Sequence, residues 1–216
     1  MQNVALPTQP VDFMIPHAKT ILIAVTDLGD SLVLSGIVLI TTIYLIILGC
    51  RRSAFILLGT FLITGLTIAL LKMFFFSCHQ YFSLPDSIHS PSGHAALTTV
   101  VWGVIASLIA AQYSGWRRRL TIYAATALIS GIAVTRWALH FHTTHEIVTG
   151  LLVGLLGLTT AHALLELRGV QKFDPRGLIV ATLAAALILN GFRLPAEGFM
   201  QIFARKVQGE LSLCMP

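Results

Sequence analysis

Six long apolar runs, separated by short polar stretches, dominate this 216-residue chain. Each run approaches the roughly 17–25 residues that a helix needs to cross a bilayer. The runs cover residues 32–49, 54–71, 95–112, 120–135, 147–165 and 177–192. The pattern therefore predicts an all-α fold, a polytopic membrane helical bundle with six transmembrane helices. Gly150 and Gly154, four residues apart in the fifth run, predict close helix packing.

No low-complexity segment or long polar linker divides the chain, so residues 1–216 are predicted to form a single integral membrane domain. The N-terminal segment, residues 1–31, contains a stretch at about 11–26 that looks more like a short interfacial helix than a span. It lacks the basic region, long apolar core and cleavage site of a signal peptide. The predicted six-span core covers residues 32–192, and residues 193–216 form a C-terminal tail.

Composition and charge agree with a membrane protein. Hydrophobic residues make up 56% of the chain and charged residues only 11%, whereas a soluble domain carries about a quarter charged residues. The net charge of +5 does not indicate nucleic-acid binding, because the basic residues fall at the ends of apolar runs and not on one face.

Alternate loops share a side of the membrane, and one set of loops carries most of the basic residues. These are Arg51, Arg52, Arg117, Arg118, Arg119, Arg168, Lys172 and Arg176. The positive-inside rule predicts that these loops are cytoplasmic. Both termini and the loops around residues 89–94 and 135–150 then lie on the non-cytoplasmic face. We predict a bacterial inner (plasma) membrane as the location.

The stretch "HSPSGHAA", residues 89–96, places polar residues between two apolar runs. Pro91 suits the first position of a helix, so the third span is predicted to begin there with outward-facing backbone amides. A helix N-terminus binds anions readily, and Gly93 would let a phosphate approach closely. The Ser92 hydroxyl would add a further donor.

The stretch "TRWALHFHTTHEIVTG", residues 135–150, lies on the same predicted side. Its Arg136 offers a planar guanidinium that can hold two phosphoryl oxygens. Lys72, at the end of the second span, offers a point charge. Phosphoryl transfer depends most on preorganised cations and amides, because charge develops on the phosphoryl oxygens. The two loops together therefore predict a phosphate site.

Histidines in these loops can supply a nucleophile and an acid. One imidazole would attack phosphorus and another would protonate the leaving oxygen, since histidine can do both near neutral pH. An attacking imidazole works best when a carboxylate holds its far N–H group. Glu146 lies four residues after His142, and the two side chains share a face if a helix has begun there.

In order and spacing, these motifs resemble the type 2 phosphatidic acid phosphatase superfamily, whose members include membrane lipid phosphatases. The family pattern is Lys, six residues, Arg-Pro; then Pro-Ser-Gly-His; then Ser-Arg, five residues, His, three residues, Asp. The matching positions here are Lys72 with His79 and Gln80, then Pro91, Ser92, Gly93 and His94, then Thr135 and Arg136 with His142 and Glu146. The resemblance extends over most of the chain, because it includes the six-span layout.

The resemblance implies a role for each matching residue. His142 would be the nucleophile, passing through a phosphohistidine, with Glu146 as its carboxylate partner. His94 would protonate the leaving group and then activate water. The implied phosphate ligands are Lys72, Ser92, Gly93, Arg136 and, in place of the family's arginine, His79. No metal or other cofactor is implied, and the implied substrate is a lipid phosphate or diphosphate whose tail stays in the membrane lipid.

Three positions depart from the family pattern. Thr135 keeps the hydroxyl of serine, and Glu146 keeps the charge of aspartate on an arm one methylene longer. His79 replaces an arginine that is always charged, whereas histidine is charged only in acid. The altered first motif and Glu146 leave a second hypothesis, a catalytically weak relative that binds or carries phospholipid. Transfer to an acceptor hydroxyl, as in a lipid phosphotransferase, is a third.

The candidate residues also have structural interpretations. Lys72 at the end of a span could extend to the interface, and Arg136 could be an interfacial anchor. "PSGH" could be only a helix start. "TTHE", which begins at Thr143, has the form of a capping box, and this alone would explain Glu146.

Other ligand arrangements are disfavoured by the sequence. A zinc site built from His140, His142 and His145 lacks supporting thiol ligands nearby. The cysteines show no metal-ligand spacing. A disulfide between Cys78 and Cys214 is disfavoured because free cysteine is common in apolar interiors.

Replacement of His79 by arginine tests the altered first motif. If His79 supplies the missing cation, phosphate binding by the wild type should improve as pH falls through the histidine range. His79→Arg should then raise activity above neutral pH, by up to about 3 kcal/mol of transition-state stabilisation, the contribution of one preorganised donor elsewhere. Activity–pH profiles of the two proteins make the comparison. A mutant no better than wild type above neutrality would show that His79 is not a substitute ligand.

Overall fold

The computed structural model describes residues 16–77 and 90–192, and every element of regular structure in these ranges is an α-helix. The seven helices there are α1 (Pro16–Asp27), α2 (Ser31–Ile47), α3 (Arg51–Ser77), α4 (Gly93–Ala110), α5 (Gly115–Ala138), α6 (Thr144–Arg168) and α7 (Pro175–Leu189). Each predicted apolar run overlaps one of the helices α2 to α7. The predicted all-α fold is therefore confirmed for the described residues, whereas the predicted C-terminal tail lies outside them.

Four of these helices, α3 to α6, are long and apolar enough to cross a membrane. Helices α1 and α2 meet at a 45° bend and together make a fifth candidate span, whereas α7 has only 15 residues. Large apolar side chains such as Ile47, Leu156 and Leu187 are exposed on the outside, where lipid tails would match them. The protein is therefore an integral membrane protein with transmembrane helices. Four or five spans follow from length and composition, and the sixth remains a prediction.

Side-chain caps set where several helices begin. The carboxylate of Asp30 accepts the Leu32 N–H (2.8 Å) at the start of α2, and that of Asp174 accepts the Arg176 N–H (3.0 Å) before α7. Ser92 and Thr143 cap α4 and α6 in the same way. Each cap satisfies an amide that has no acceptor within its own helix. Because α2, α4 and α6 run in the same direction, three of these caps lie at one end of the bundle.

Helix α4 is the centre of the bundle. Most of its residues are buried, and it packs against α3, α5 and α6 with smaller contacts to α2 and α7. Val100, Val104 and Leu108 are wholly enclosed. The beginning of α4 is consequently surrounded by the ends of neighbouring helices, and this arrangement brings the candidate site residues together.

Glycines on α6 allow this helix to lie directly against α4. A β-carbon on Gly154 would lie 2.6 Å from the Ala96 carbonyl oxygen and 2.7 Å from Thr99 Cβ. One on Gly150 would collide with the carbonyl oxygen of Ser92. The predicted close packing at Gly150 and Gly154 is confirmed, and it holds the beginning of α6 beside the beginning of α4.

Gly150→Ala should destabilise the protein, because the new methyl group must push α6 away from the Ser92 carbonyl. We expect a loss of about 1–3 kcal/mol, measured as a lower midpoint of thermal unfolding in detergent. Gly131→Ala is the matched control, since a β-carbon there meets nothing within 4 Å. That variant should be neutral or stabilised, because alanine favours a helix over glycine by about 1 kcal/mol. An unchanged midpoint for Gly150→Ala would contradict the close contact.

Candidate active site

The sequence-predicted site residues lie at one end of the bundle. Lys72 is near the end of α3, Ser92 and His94 are at the beginning of α4, Arg136 is near the end of α5, and Glu146 is in the first turn of α6. Successive helices run in opposite directions, so these four helix ends meet. The other predicted phosphate ligand, His79, lies outside the described residues, as do Gln80, Cys78 and Cys214.

His142 and Glu146 form a buried pair. The imidazole Nδ1 lies 3.0 Å from Glu146 Oε2, and the two side chains are only 6% and 7% exposed. Because a carboxylate only accepts hydrogen bonds, Nδ1 carries the proton and donates it. The tautomer is then fixed, and the lone pair of Nε2 is the nucleophilic one.

The Glu146 carboxylate is itself held by backbone amides. Its Oε2 accepts the N–H of Thr143 (3.0 Å), and its Oε1 accepts the N–H of Ser90 (2.8 Å). The Thr143 hydroxyl accepts the Glu146 N–H in return, which completes the predicted capping box. The capping role and the contact with His142 therefore coexist in one side chain.

His142 and Glu146 lie close together without sharing a helical face. Helix α6 begins at Thr144, and its cap residue Thr143 has extended backbone with φ −71° and ψ 161°. His142 therefore precedes the helix. The two side chains meet because the capping box directs the Glu146 carboxylate back towards the residues that precede α6.

Ser92, not Pro91, marks the start of α4. The helix begins at Gly93, and the buried Ser92 oxygen accepts the Ala95 N–H at 3.4 Å. Pro91 thus precedes the cap instead of taking the first helical position, because the extended backbone of Ser92 delays the first turn. The Ser92 N–H donates to the Glu146 carbonyl oxygen (3.0 Å), which joins the two helix starts. The amides of Gly93 and His94 belong to a first turn, whose N–H groups have no acceptor within the helix.

Two buried cations flank this first turn. Lys72 and Arg136 are 7% and 8% exposed, which argues against their being interfacial anchors. A β-carbon on Gly93 would lie 4.0 Å from Lys72 Cε, so the lysine chain runs beside the start of α4. The Arg136 guanidinium lies over the Phe141 ring, with Cζ 4.5 Å from the ring centroid. Positively charged side chains at these positions can interact with the oxygens of an anionic ligand, since Arg and Lys make strong charge-assisted hydrogen bonds to such oxygens.

The surroundings of His142 favour its neutral form. Burial lowers the pKa of His142 below its ordinary value of 6.5, and the positive charges of Arg136 and Lys72 lower it further. The hydrogen bond and negative charge of Glu146 act in the opposite direction and only partly offset the change. At neutral pH the ring is therefore uncharged, as a nucleophile requires.

His94 has a partner that the sequence analysis missed. Its Nε2 lies 3.8 Å from Asp30 Oδ2, an ion-pair distance longer than a hydrogen bond. An aspartate directly before an apolar run is a helix-cap signal, so the cap at Asp30 was accessible from the sequence. Its proximity to His94 was not, because 63 residues separate them along the chain.

The remaining histidines of the second loop lie apart from this pair. His140 and His145 are exposed. Within residues 16–77 and 90–192, no three His, Cys, Asp or Glu side chains are grouped as metal ligands. The zinc arrangement of His140, His142 and His145 is accordingly not formed there.

Glu146→Gln should lower the pKa of His142 still further. The variant keeps the capping-box pattern but removes the negative charge that stabilises the imidazolium, so a proton binds less readily. Titration of the His142 ring by NMR makes the measurement. Thr143→Ala is the control: it should cost about 1 kcal/mol of stability through the lost cap and leave the His142 titration in place. Equal effects of the two variants on that titration would mean that the carboxylate acts only as a cap.

Comparison with known proteins found limited similarity. No family model matches the chain, and no solved structure matches it significantly. Over 66 residues it is 30% identical to a protein of Klebsiella pneumoniae described as an uncharacterized 22.5 kDa protein in the cps region. The similarity covers 31% of this chain and 32% of that protein, so the chain spans about a third of the length of the curated relative it matches.

Proposed function

We propose that this protein is a metal-independent membrane phosphatase that hydrolyses a lipid phosphate or diphosphate through a phosphohistidine intermediate. The observation that carries the proposal is the buried His142–Glu146 pair, 3.0 Å apart, beside the two buried cations Lys72 and Arg136. A neutral, oriented imidazole next to positive charge suits attack on a phosphoryl group.

In the first step, Nε2 of His142 attacks phosphorus, and the bond from phosphorus to the leaving oxygen breaks. His94 gives its proton to that oxygen. The Glu146 carboxylate stabilises the positive charge that develops on the His142 ring. The charge on the phosphoryl oxygens is met by Lys72, Arg136 and the first-turn amides of α4.

In the second step, water attacks the phosphohistidine and His94 accepts a proton from it. The phosphorus–nitrogen bond breaks, His142 returns to its neutral form, and inorganic phosphate leaves. The same intermediate would transfer its phosphoryl group if a lipid hydroxyl replaced water. The alternative of a weak relative that binds phospholipid is favoured by one departure, the His79 that stands in place of an arginine.

We further propose six spans, with α2 and α7 as the first and last. Their 17 and 15 residues correspond to about 26 and 22 Å of helix, and short flanking turns would complete a crossing. The two helices lie side by side: a β-carbon on Gly177 of α7 would collide with the Tyr44 ring of α2. This contact between α2 and α7 supports the proposal that both helices cross the bilayer.

The proposed orientation sets the active site on the non-cytoplasmic face of a bacterial inner membrane. Basic residues lie at or just before the beginnings of α3, α5 and α7, at the bundle end opposite His142. They are Arg51, Arg52, Arg117, Arg118, Arg119, Lys172 and Arg176. The positive-inside rule makes that end cytoplasmic. A lipid substrate would then present its headgroup to the site while its tail stays among the helices and lipid.

Phosphate release from a panel of lipid phosphates tests the function. Phosphatidate, phosphatidylglycerol phosphate and a polyprenyl diphosphate would be offered in detergent micelles to the wild type and to His142→Ala. We expect His142→Ala to lose at least about a thousandfold in kcat, because the nucleophile is gone. His145→Ala is the matched control, since its exposed ring is three residues away, and it should keep full activity.

A labelled substrate distinguishes the alternatives. Wild type should carry an acid-labile phosphate on His142 during turnover, and His94→Ala should slow both its formation and its hydrolysis. Release of phosphate by His142→Ala at the wild-type rate would refute the proposed mechanism. Lipid binding with no release would favour the carrier, and a phosphorylated acceptor would favour the phosphotransferase.

A further inference from the structure

The elbow between α1 and α2, residues 28–30, is built into the core. A β-carbon on Gly29 would lie 2.8 Å from Ile132 Cγ2 of α5 and 2.8 Å from Thr98 Oγ1 of α4. The Trp102 indole N–H also donates to the Leu28 carbonyl oxygen at 3.5 Å. The elbow is thus held between two helices of the candidate active site, and its position beside α4 is defined.

Asp30 uses its two carboxylate oxygens differently. Oδ1 accepts the Leu32 N–H (2.8 Å) and caps α2, whereas Oδ2 lies 3.8 Å from Nε2 of His94. The Asp30 side chain is 8% exposed, and His94 is 24% exposed. Because the backbone fixes one oxygen, the other is held towards the imidazole.

We infer that Asp30 is a positioning residue that keeps His94 protonated and oriented as the general acid. This inference rests on the proposed phosphatase function. A nearby carboxylate favours the imidazolium, because an opposite charge stabilises the protonated form.

The two histidines thereby receive opposite tasks. His142 is buried near cations, which favours the neutral form needed for attack. His94 is more exposed and lies near the Asp30 carboxylate. When the environments of two titratable groups push their pKa values apart, one group can act as a base and the other as an acid at the same pH. Asp30 contributes to this asymmetry, because its carboxylate near Nε2 favours a protonated His94.

Other charged groups act at this end of the bundle. Lys72 on α3 and Arg136 on α5 oppose protonation of His94, whereas Glu146 on α6 and the buried Asp27 at the end of α1 favour it. Glu146 is engaged with His142 and backbone amides, whereas the Asp30 carboxylate lies at an ion-pair distance from His94. Removing the Asp30 carboxylate should therefore change the titration of His94.

Asp30→Asn removes the charge and keeps the cap, since asparagine caps a helix as well as aspartate. In a plot of kcat against pH, the alkaline limb should follow the loss of the proton from His94. We expect this limb to move to lower pH by about one unit in Asp30→Asn. At pH values above that limb the rate should fall about tenfold, while the acid limb set by His142 stays in place. Asp174→Asn is the matched control, because Asp174 caps α7 in the same way at the opposite end.

The leaving group separates an acid–base role from a structural one. With 4-nitrophenyl phosphate, whose leaving group needs no proton, the rate deficit of Asp30→Asn should vanish. An equal deficit with 4-nitrophenyl phosphate and a lipid phosphate would mean that Asp30 only supports the fold, and would overturn the inference. Asp30→Ser, which also caps α2, would repeat the test should Asp30→Asn fail to fold.

Titration of His94 needs no activity. In protein with isotope-labelled histidine, and with the His94 signal assigned by its loss in His94→Gln, the titration midpoint should fall by about one pH unit in Asp30→Asn. An unchanged midpoint would overturn the inference. If the midpoint moves but the wild type releases no phosphate from any lipid, the phosphatase proposal fails and the coupling of Asp30 to His94 stands.

Discussion

The Glu146 side chain and backbone join the parts of the chain on which the candidate site depends. Its carboxylate binds the His142 ring and the amides of Thr143 and Ser90, and its carbonyl oxygen accepts the Ser92 amide. The beginning of α6 is thereby tied to the segment that starts α4. A carboxylate with several donors is held in one orientation, so the imidazole that it contacts is oriented too.

This junction depends in turn on close packing of the two helices. Gly150 and Gly154 bring the α6 backbone against Ser92 and Ala96, and a side chain at either position would separate them. In lipid, where apolar surface provides little drive for helix association, small residues of this kind let backbones approach and gain dispersion contacts. The packing residues and the chemical residues are therefore parts of one arrangement, one turn of helix apart.

Electrostatic balance is the second constraint on this end of the bundle. The buried cations Lys72 and Arg136 lie at the same end of the bundle as the buried carboxylates of Asp27, Asp30 and Glu146. His142 lies beside Glu146, and His94 lies 3.8 Å from Asp30. Charges buried in this way are costly unless they compensate one another. Grouped at one end of the bundle, these opposite charges can compensate one another.

The sequence by itself determined the helical class, the approximate helix positions and several caps, because these depend on runs and spacings within a few turns. Apolar runs marked α2 to α7, and "TTHE" marked the capping box at Thr143 and Glu146. The residues of the His142 pair also followed from local spacing, although α6 begins at Thr144 and does not include His142. Only the tertiary structure brought Asp30 to His94 and set Lys72 beside Gly93. Those contacts join residues on different helices. They depend on how the helices pack at their glycines and larger side chains, and the spacing of residues along the chain does not determine that packing.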